Sequence, residues 1–454
     1  MQNDAPAVTE SPAVKASRRT LGLVFLTVFM DFLGFSILFP IFPRLLEYYF
    51  LKEPDGTLLH GMLGVARDIA GDNNPVAVAA LFGGVLGSLF SLLQFVCAPL
   101  WGRLSDRIGR RRVLLMTLSG TALAYALWIF AGMFWVVVLS RALAGIMAGN
   151  ISVATAAAAD ATVGRDRSKA MATVGIGIAA GILFGPAIGA VASLHDISKN
   201  APPAIAFALN PFSLAAIVSF AMAVLNAFVA FRWFRETLPP ERRSVVANRG
   251  SIFSLGKLGS PDIRRATLVN LCFFTAFAGM ESTLTFVALD LFDYTPKQNA
   301  VMFTFIAVSL GLIQGGIVRR MGHRVGEKKM ALGGLAAGLF AFLVIAVIPH
   351  TPGVPVAHGM ITVFYLGLFL FAAASALSQP SLSALVSLYS DERTQGFHAG
   401  IFRSGGALAR AVGPLAAALI YFKTGGHAWV FFAGAVATLV PFVMALRLRQ
   451  PEHV

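Results

Sequence analysis

Five charged side chains stand inside apolar stretches of this sequence, where charge is expensive. Asp31 and Glu281 are carboxylates in the runs 20–48 and 265–290, and Arg141, Arg403 and Arg410 are guanidiniums in 134–157 and 395–421. A carboxylate withdrawn from water favours its neutral acid, so it can exchange a proton near neutral pH. A guanidinium stays charged and must face protein, water or an anion. Together these types offer proton exchange and anion binding rather than covalent chemistry. No nucleophile–base pair and no G-x-x-x-x-G-K-[ST] phosphate loop accompanies them. The two cysteines, Cys97 and Cys272, lie in separate apolar runs and have no metal spacing. The expectation is a protein that is not an enzyme and uses neither cofactor nor metal.

The elements that carry these charges follow from composition. Of 454 residues, 57% are apolar and 13% charged, whereas a soluble domain carries about a quarter charged. About 20 apolar residues cross a bilayer as a helix. Twelve runs qualify: 20–48, 76–101, 113–131, 134–157, 170–193, 203–232, 265–290, 299–318, 330–349, 355–389, 395–421 and 426–446. They are continuous rather than alternating, which excludes a barrel. The expected fold is an all-α polytopic membrane protein of two pseudo-symmetric six-helix halves, 20–232 and 265–446. A Pro-Pro-containing linker at 233–264 joins them, and the tails are 1–19 and 447–454. At 1.5 Å per residue, Asp31 lies about 16 Å into the first helix and Arg410 about 21 Å into the eleventh.

A net charge of +14 could suit nucleic acid, but its distribution argues for a membrane. With a cytoplasmic N-terminus, 27 of the 36 Lys and Arg residues fall in cytoplasmic segments and three inside helices. Only Arg44, Lys52, Arg67, Lys199, Lys297 and Lys423 fall outside. This asymmetry predicts that both termini and the linker are cytoplasmic, with 49–75 an external loop. Residues 1–19 lack an apolar signal core, so the first helix is expected to act as an uncleaved anchor. Arginine outnumbers lysine 27 to 9, a bias that points to a GC-rich bacterium and hence to its inner membrane. The sequon Asn150-Ile-Ser152 falls inside a predicted helix, beyond the reach of glycosylation.

Two kinds of local pattern frame the charges. The stretch Gly102-Arg-Leu-Ser-Asp106-Arg107-Ile-Gly109-Arg110-Arg111-Arg112 reads as a tight polar loop between the second and third helices. Asp160, at the end of the fourth, is expected to pair with the arginines of that loop as a latch made in one state and broken in another. The fifth helix carries Gly177, Gly181, Gly185 and Gly189 with Pro186, a stripe that admits a close neighbour. An offset of 228 maps this stripe onto Gly405, Ala409, Gly413 and Ala417 with Pro414 in the eleventh. An offset of 217 maps Gly109-Arg-Arg-Arg112 onto Gly326-Glu-Lys-Lys329. Duplicated halves place a binding site near the midplane between them.

The Gly102–Arg112 pattern resembles the signature loop of the major facilitator superfamily of secondary transporters. The segments Leu81–Phe95, Gly149-Asn-Ile-Ser-Val-Ala-Thr155, Gly279-Met-Glu-Ser-Thr-Leu-Thr285 and Ala407–Pro414 are similar to its tetracycline transporter-like branch, as is Asp31-Phe-Leu-Gly34 with Pro40 and Pro43. Gly181-Ile-Leu-Phe-Gly185-Pro186-Ala-Ile-Gly189 resembles the glycine-proline motif of drug–proton antiporters. Leu139-Ser-Arg141-Ala-Leu-Ala-Gly145 resembles the arginine motif those antiporters associate with proton coupling; the plainer reading of Arg141 is a structural, snorkelling side chain. Asp31 is either a proton carrier or a fixed counter-ion to Arg141, and Glu281 is the alternative carrier. Arg410 and Arg403, with Glu281 and Asp31, are the candidate substrate contacts.

The resemblance implies a proton-coupled antiporter that exports small amphipathic organic anions or drugs by alternating access, monomeric in the bilayer. The chain departs from tetracycline pumps in having few acidic groups in its second half beyond Glu281, which argues against tetracycline as cargo. A second expectation is an exporter of cationic or neutral drugs, including tetracycline-like compounds, steered by Asp31 and Glu281. A third, of another class, is a receptor or scaffold on the same fold.

Overall fold

The computed structural model describes residues 12–450 apart from 55, 58, 62–63, 65–74, 163–164, 207, 241–259, 319–324, 350–355, 358, 391–394 and 425. Most of the expected linker and most of the external loop therefore lie outside the described residues. The first half runs α1 (Pro12–Ser36), α2 (Phe42–Lys52), α3 (Pro75–Ile108), α4 (Arg110–Ile129), α5 (Phe134–Met147), α6 (Asn150–Asp160), α7 (Arg165–Ala192) and α8 (Ser213–Trp233). The second runs α9 (Pro261–Phe292), α10 (Pro296–Leu312), α11 (Glu327–Ala346), α12 (Gly359–Leu388), α13 (Gln395–Thr424) and α14 (His427–Leu446). Eleven spans among the described residues are long and apolar enough to cross a membrane. The 30-residue α13, which carries Arg403 and Arg410, makes the twelfth. An even number of crossings returns the first and last described residues to one side, the terminal side.

Three boundaries differ from expectation, each for a local reason. The first span does not run unbroken to residue 48: α1 stops at Ser36, and a 3-10 turn at Phe39–Ile41 leads into α2. Pro40 and Pro43 lack the N–H groups that a continuous helix would use there. The fourth span breaks at Ala148–Gly149 between α5 and α6. Trp101 of α3 causes this: its indole Nε1 donates to the Ile146 carbonyl at 2.7 Å, and its ring fills the space beside Gly149 that a Cβ would need. The sixth span starts at Ser213 rather than 203, because Asn210 ties the entry to the far end of α4. Its amide donates to the Ala131 carbonyl at 3.1 Å, and its side-chain oxygen accepts from Phe212 N at 2.9 Å. The eighth span closes in a π-turn at Ile313–Val318.

The expected Gly102–Arg112 loop is also corrected. Gly102 to Ile108 continue α3, and the reversal into α4 falls on Gly109 alone, at φ 105°. Gly326, its counterpart in the repeat, has φ 83°. L side chains are strained in that region, so a single glycine makes the reversal into α4, and Gly326 has the same backbone conformation just before α11.

Packing follows the duplication. One buried cluster lies within the first half (Val24, Val113, Val153 and Phe234 among its members) and one within the second (Ile263, Leu335, Leu385 and Leu448). A larger cluster joins the halves, bringing Ile37 and Trp128 together with Phe286 and Phe371. The α7 glycine stripe seats α1: a Cβ on Gly181 would stand 2.6 Å from Phe32 Cβ, and one on Gly185 or Gly189 would overlap α1 atoms. In the second half Gly413 of α13 meets Thr275 and Gly279 of α9 in the same way. Large apolar side chains such as Leu123, Phe228 and Phe432 are left half exposed, as suits a surface facing lipid.

Candidate functional site

Glu281 and Arg410 come together at the junction of the halves. Both line a cavity whose walls are otherwise apolar and aromatic, apart from Ser375 and Gln379 of α12. Both also line a second, smaller space, bounded by Phe35, Phe39 and Phe42 of the broken first span, by Ser91 of α3 and by Ser282 of α9. The two charges are within electrostatic reach of each other. Among the described residues they form no direct ion pair. The Arg410 guanidinium lies 5.4 Å from the Phe32 ring centroid and 5.6 Å from that of Phe274, a cation–π sandwich made by one ring from each half. Its Nε and Nη1 are buried without a hydrogen-bond partner. Five N–H donors in a rigid fork, three of them on these two nitrogens, leave room for an acceptor the protein does not supply.

The repeat makes this position informative. Ile182 of α7, which the 228 offset places opposite Arg410, lines the same cavity, and Pro186 lines it while Pro414 lines the second. Equivalent positions of the two halves therefore face one another across the site, and only one carries charge.

The other candidates sit elsewhere. Asp31 does not pair with Arg141; Asn150, the first residue of α6, donates to it at 2.6 Å, while its own Oδ1 accepts from Ile151 N at 2.8 Å. The Ala148–Gly149 break thus aims a polar side chain at the carboxylate. Arg141, 2% exposed, is held by the rings of Trp128 and Tyr125 at 4.9 and 5.4 Å. Its Nη2 reaches Ser140 Oγ at 3.4 Å, and its Nε and Nη1 have no partner. Arg403 does not share the cavity with Arg410. Its Nη1 donates to Thr155 Oγ1 of α6 at 2.8 Å, a bond between the halves on the terminal side. Another acid of α9, Asp290, accepts from Tyr421 of α13 at 2.6 Å toward the opposite side.

On the terminal side, Arg110 is the hub. Its side chain, 6% exposed, reaches Asp106 at 2.6 Å, Asp160 at 2.9 Å and Ser105 Oγ at 2.6 Å. Glu236, just past α8, caps the start of α4 by accepting from Arg110 N at 2.9 Å and Arg111 N at 3.3 Å. Arg111 Nη2 donates to the Phe231 carbonyl at 2.7 Å. Arg107 stays exposed, and Gly102 packs beside Ser152. In the second half Gln450 accepts from Lys328 N at 3.2 Å beside Gly326, the same device without the charge. Sequence reasoning missed Asn150, Glu236, Thr155 and Gln450. Asn150 and Glu236 had a visible signal, a polar residue inside an apolar run and an acid just past a helix end, but their partners are more than 100 positions away.

A family model described as Major Facilitator Superfamily matches residues 24–357 and 320–454. The chain belongs to the major facilitator superfamily. This is a superfamily of transporters rather than enzymes, so the protein is a multi-pass membrane transporter of small molecules. It is 31% identical to mouse (Mus musculus) major facilitator superfamily domain-containing protein 10, over 99% of this chain and 96% of that protein. It is 28% identical to the class E tetracycline resistance protein of Escherichia coli, over 96% of each. A crystal structure of the human organic anion transporter MFSD10 (TETRAN) superposes with TM-score 0.75 at 31% identity, covering 96% of this chain and 100% of that one. An auto-inhibited POT family peptide transporter, 13% identical, superposes with TM-score 0.63 over 96% of this chain and 99% of that one, a likeness of fold alone.

Proposed function

We propose that this transporter moves small amphipathic organic anions by alternating access, with Arg410 holding the anionic group and the aromatic walls holding the apolar part. The observation that carries this reading is the Arg410 guanidinium, with two buried and unpartnered nitrogens, at the edge of a cavity that is apolar and aromatic apart from Glu281, Ser375 and Gln379. Arg binds a carboxylate through paired, charge-assisted hydrogen bonds that a lysine cannot reproduce. The likeness to a human organic anion transporter supports the same cargo class. The coupling ion in this reading is the proton, and the direction is antiport and export, as the α7 glycine-proline pattern and Arg141 imply. Asp31 and Glu281 are the carriers to test. The terminal side is the cytoplasm, the membrane is a bacterial inner membrane, the halves 20–232 and 265–446 rock about the 233–264 linker, and the working unit is a monomer.

The test is transport in reconstituted vesicles under an imposed pH gradient, with matched panels of organic anions, neutral analogues and cations. Anions should be concentrated, and Arg410→Ala should abolish this while Arg410→Lys retains a small part. A second reading, export of cationic or neutral drugs including tetracycline-like compounds, is favoured by Glu281 in the same cavity and by the tetracycline resistance relatives. Accumulation of cations with indifference to anions would establish it in place of the first.

A further inference from the structure

We propose that Ser375 and Gln379 of α12 form a second, uncharged subsite beside Arg410, and that the cargo is an amphipathic carboxylate carrying an amide close to its carboxylate. This rests on the anion reading above. Both side chains are half-buried and line the larger cavity, where the walls are apolar apart from them, Arg410 and Glu281. Four positions apart, they share one face of α12. Neither has a hydrogen-bond partner among the described residues. Ser378 of the same helix is instead fully buried, packed where a Cβ on Gly334 of α11 would stand. The 228 offset places Met147 and Ile151 at the equivalent positions of the first half. Shared packing therefore does not require polar side chains at 375 and 379, just as it does not require Arg410.

Ring contacts fix the level of the subsite. α9 starts on the terminal side, where Arg265 donates to the Arg447 carbonyl, and α12 ends there, where Tyr389 donates to the Arg449 carbonyl. The two helices are therefore antiparallel, and they meet where the Phe277 and Phe371 rings stand 6.2 Å apart. One turn from that contact toward the terminal side, α9 presents Phe274, the ring against Arg410, and α12 presents Ser375. Gln379 follows one turn nearer the terminal side, about 6 Å along the axis. In the other direction the walls are Leu368 of α12 and Leu284 of α9, with Glu281 seven positions beyond Phe274. A carboxylate on Arg410 thus has hydrogen-bonding groups at its own level and on its terminal side, while its apolar body runs the other way. A glutamine amide both donates and accepts, and so does a serine hydroxyl. An amide on the cargo offers an N–H and a C=O in return. A bare hydrocarbon there would strip water from both side chains and leave them unpaired, which costs more than a missing contact.

Calorimetry on the purified full chain tests this with three carboxylates of one length and shape. In 2-naphthoylglycine an amide sits beside the carboxylate, in 4-(2-naphthyl)-4-oxobutanoate a methylene replaces its N–H, and in 4-(2-naphthyl)butanoate the carbonyl is gone as well. Wild type should bind naphthoylglycine about tenfold more tightly than the butanoate, the worth of two neutral hydrogen bonds, with the oxobutanoate between them. Gln379→Leu combined with Ser375→Ala should erase that preference while binding the butanoate at least as well as wild type does. Arg410→Ala should weaken all three carboxylates alike. Wild type binding the butanoate as tightly as naphthoylglycine overturns the inference and leaves the anion reading standing; this arm decides even if the variants do not fold. A tenfold preference that persists in the double variant overturns it too. Wild type that ignores all three carboxylates, or binds the uncharged 2-naphthoylglycinamide as tightly as naphthoylglycine, overturns the anion reading and this inference with it.

Discussion

Removing Arg110 should loosen the terminal side of the first half by an amount the structure sets. Its side chain is 6% exposed and neutralises two carboxylates, Asp106 and Asp160, that are themselves 21% and 22% exposed. Deleting one member of a fully buried pair costs about 3–5 kcal/mol. Here a fifth of each carboxylate surface is wet, so water recovers part of that, and Arg110→Ala should cost about 2–3 kcal/mol. At about 2–4 °C per kcal/mol for a unit of this size, the melting temperature should fall by about 4–12 °C. Asp160→Asn keeps an acceptor for Arg110 Nε and leaves Asp106 in place, so it should cost about 1 kcal/mol. The two changes should not add: in a double-mutant cycle the Arg110→Ala penalty shrinks by about 1 kcal/mol in the Asp160→Asn background. The assay is thermal unfolding of the purified protein in one detergent at one scan rate. Strict additivity, or an Arg110→Ala protein melting with wild type, would refute the hub.

Three further outcomes follow from other contacts. Thr155→Val removes the acceptor of the Arg403 bond between the halves. It should shift the population toward the form open on the terminal side by about tenfold, the worth of a hydrogen bond to a charged group; cross-linking of a cysteine pair across α6 and α13 would report it, and unchanged cross-linking would count against a gating role. Gly185→Val would drive a branched side chain into α1, where even a Cβ overlaps Ser36; a loss of at least about 2 kcal/mol is expected from thermal unfolding, whereas Gly175→Ala, open on that measure, should be tolerated. In a background with Cys97 and Cys272 replaced by Ser, a membrane-impermeant thiol reagent applied to intact cells should label His60→Cys and spare Gly250→Cys. Labelling of the second from outside would reverse the assigned orientation.

What could be read from the sequence divides along a physical line. The spans were legible because transfer into hydrocarbon sums over about 20 residues, and no single contact can overturn such a sum. The glycine stripes were legible because four-residue spacing repeats along one helix face, and the duplication wrote each stripe twice. The breaks were not, because each depends on a distant partner: Trp101 taking the Ile146 carbonyl, or Asn210 reaching Ala131. The partners of the charges were hidden for the same reason. Charge alone suggested an Asp31–Arg141 pair, yet the fold gives Asp31 an amide and gives Arg141 two aromatic rings.

The departures from the repeat carry the chemistry. Where the halves still agree, at Gly109 and Gly326 or at Gly185 and Gly413, the residues serve packing or a chain reversal common to both. At two places where they differ, the difference is in charge. Glu236 and Gln450 cap equivalent helix starts, but only the first can add a full negative charge to the basic end of its half. Ile182 and Arg410 face the same cavity from equivalent helices, and only the second can hold an anion. A site made of two identical faces would offer an anion the same contacts from both halves. Placing the guanidinium on one half and an apolar wall on the other gives the cavity a polar end and an apolar end, so an amphipathic cargo binds in one orientation. In the proposed reading the cargo's charged group stays with α13 as the halves rock while its apolar part slides against α7, so Arg410→Ala should be felt at every step of the cycle and substitutions on the α7 wall at only some.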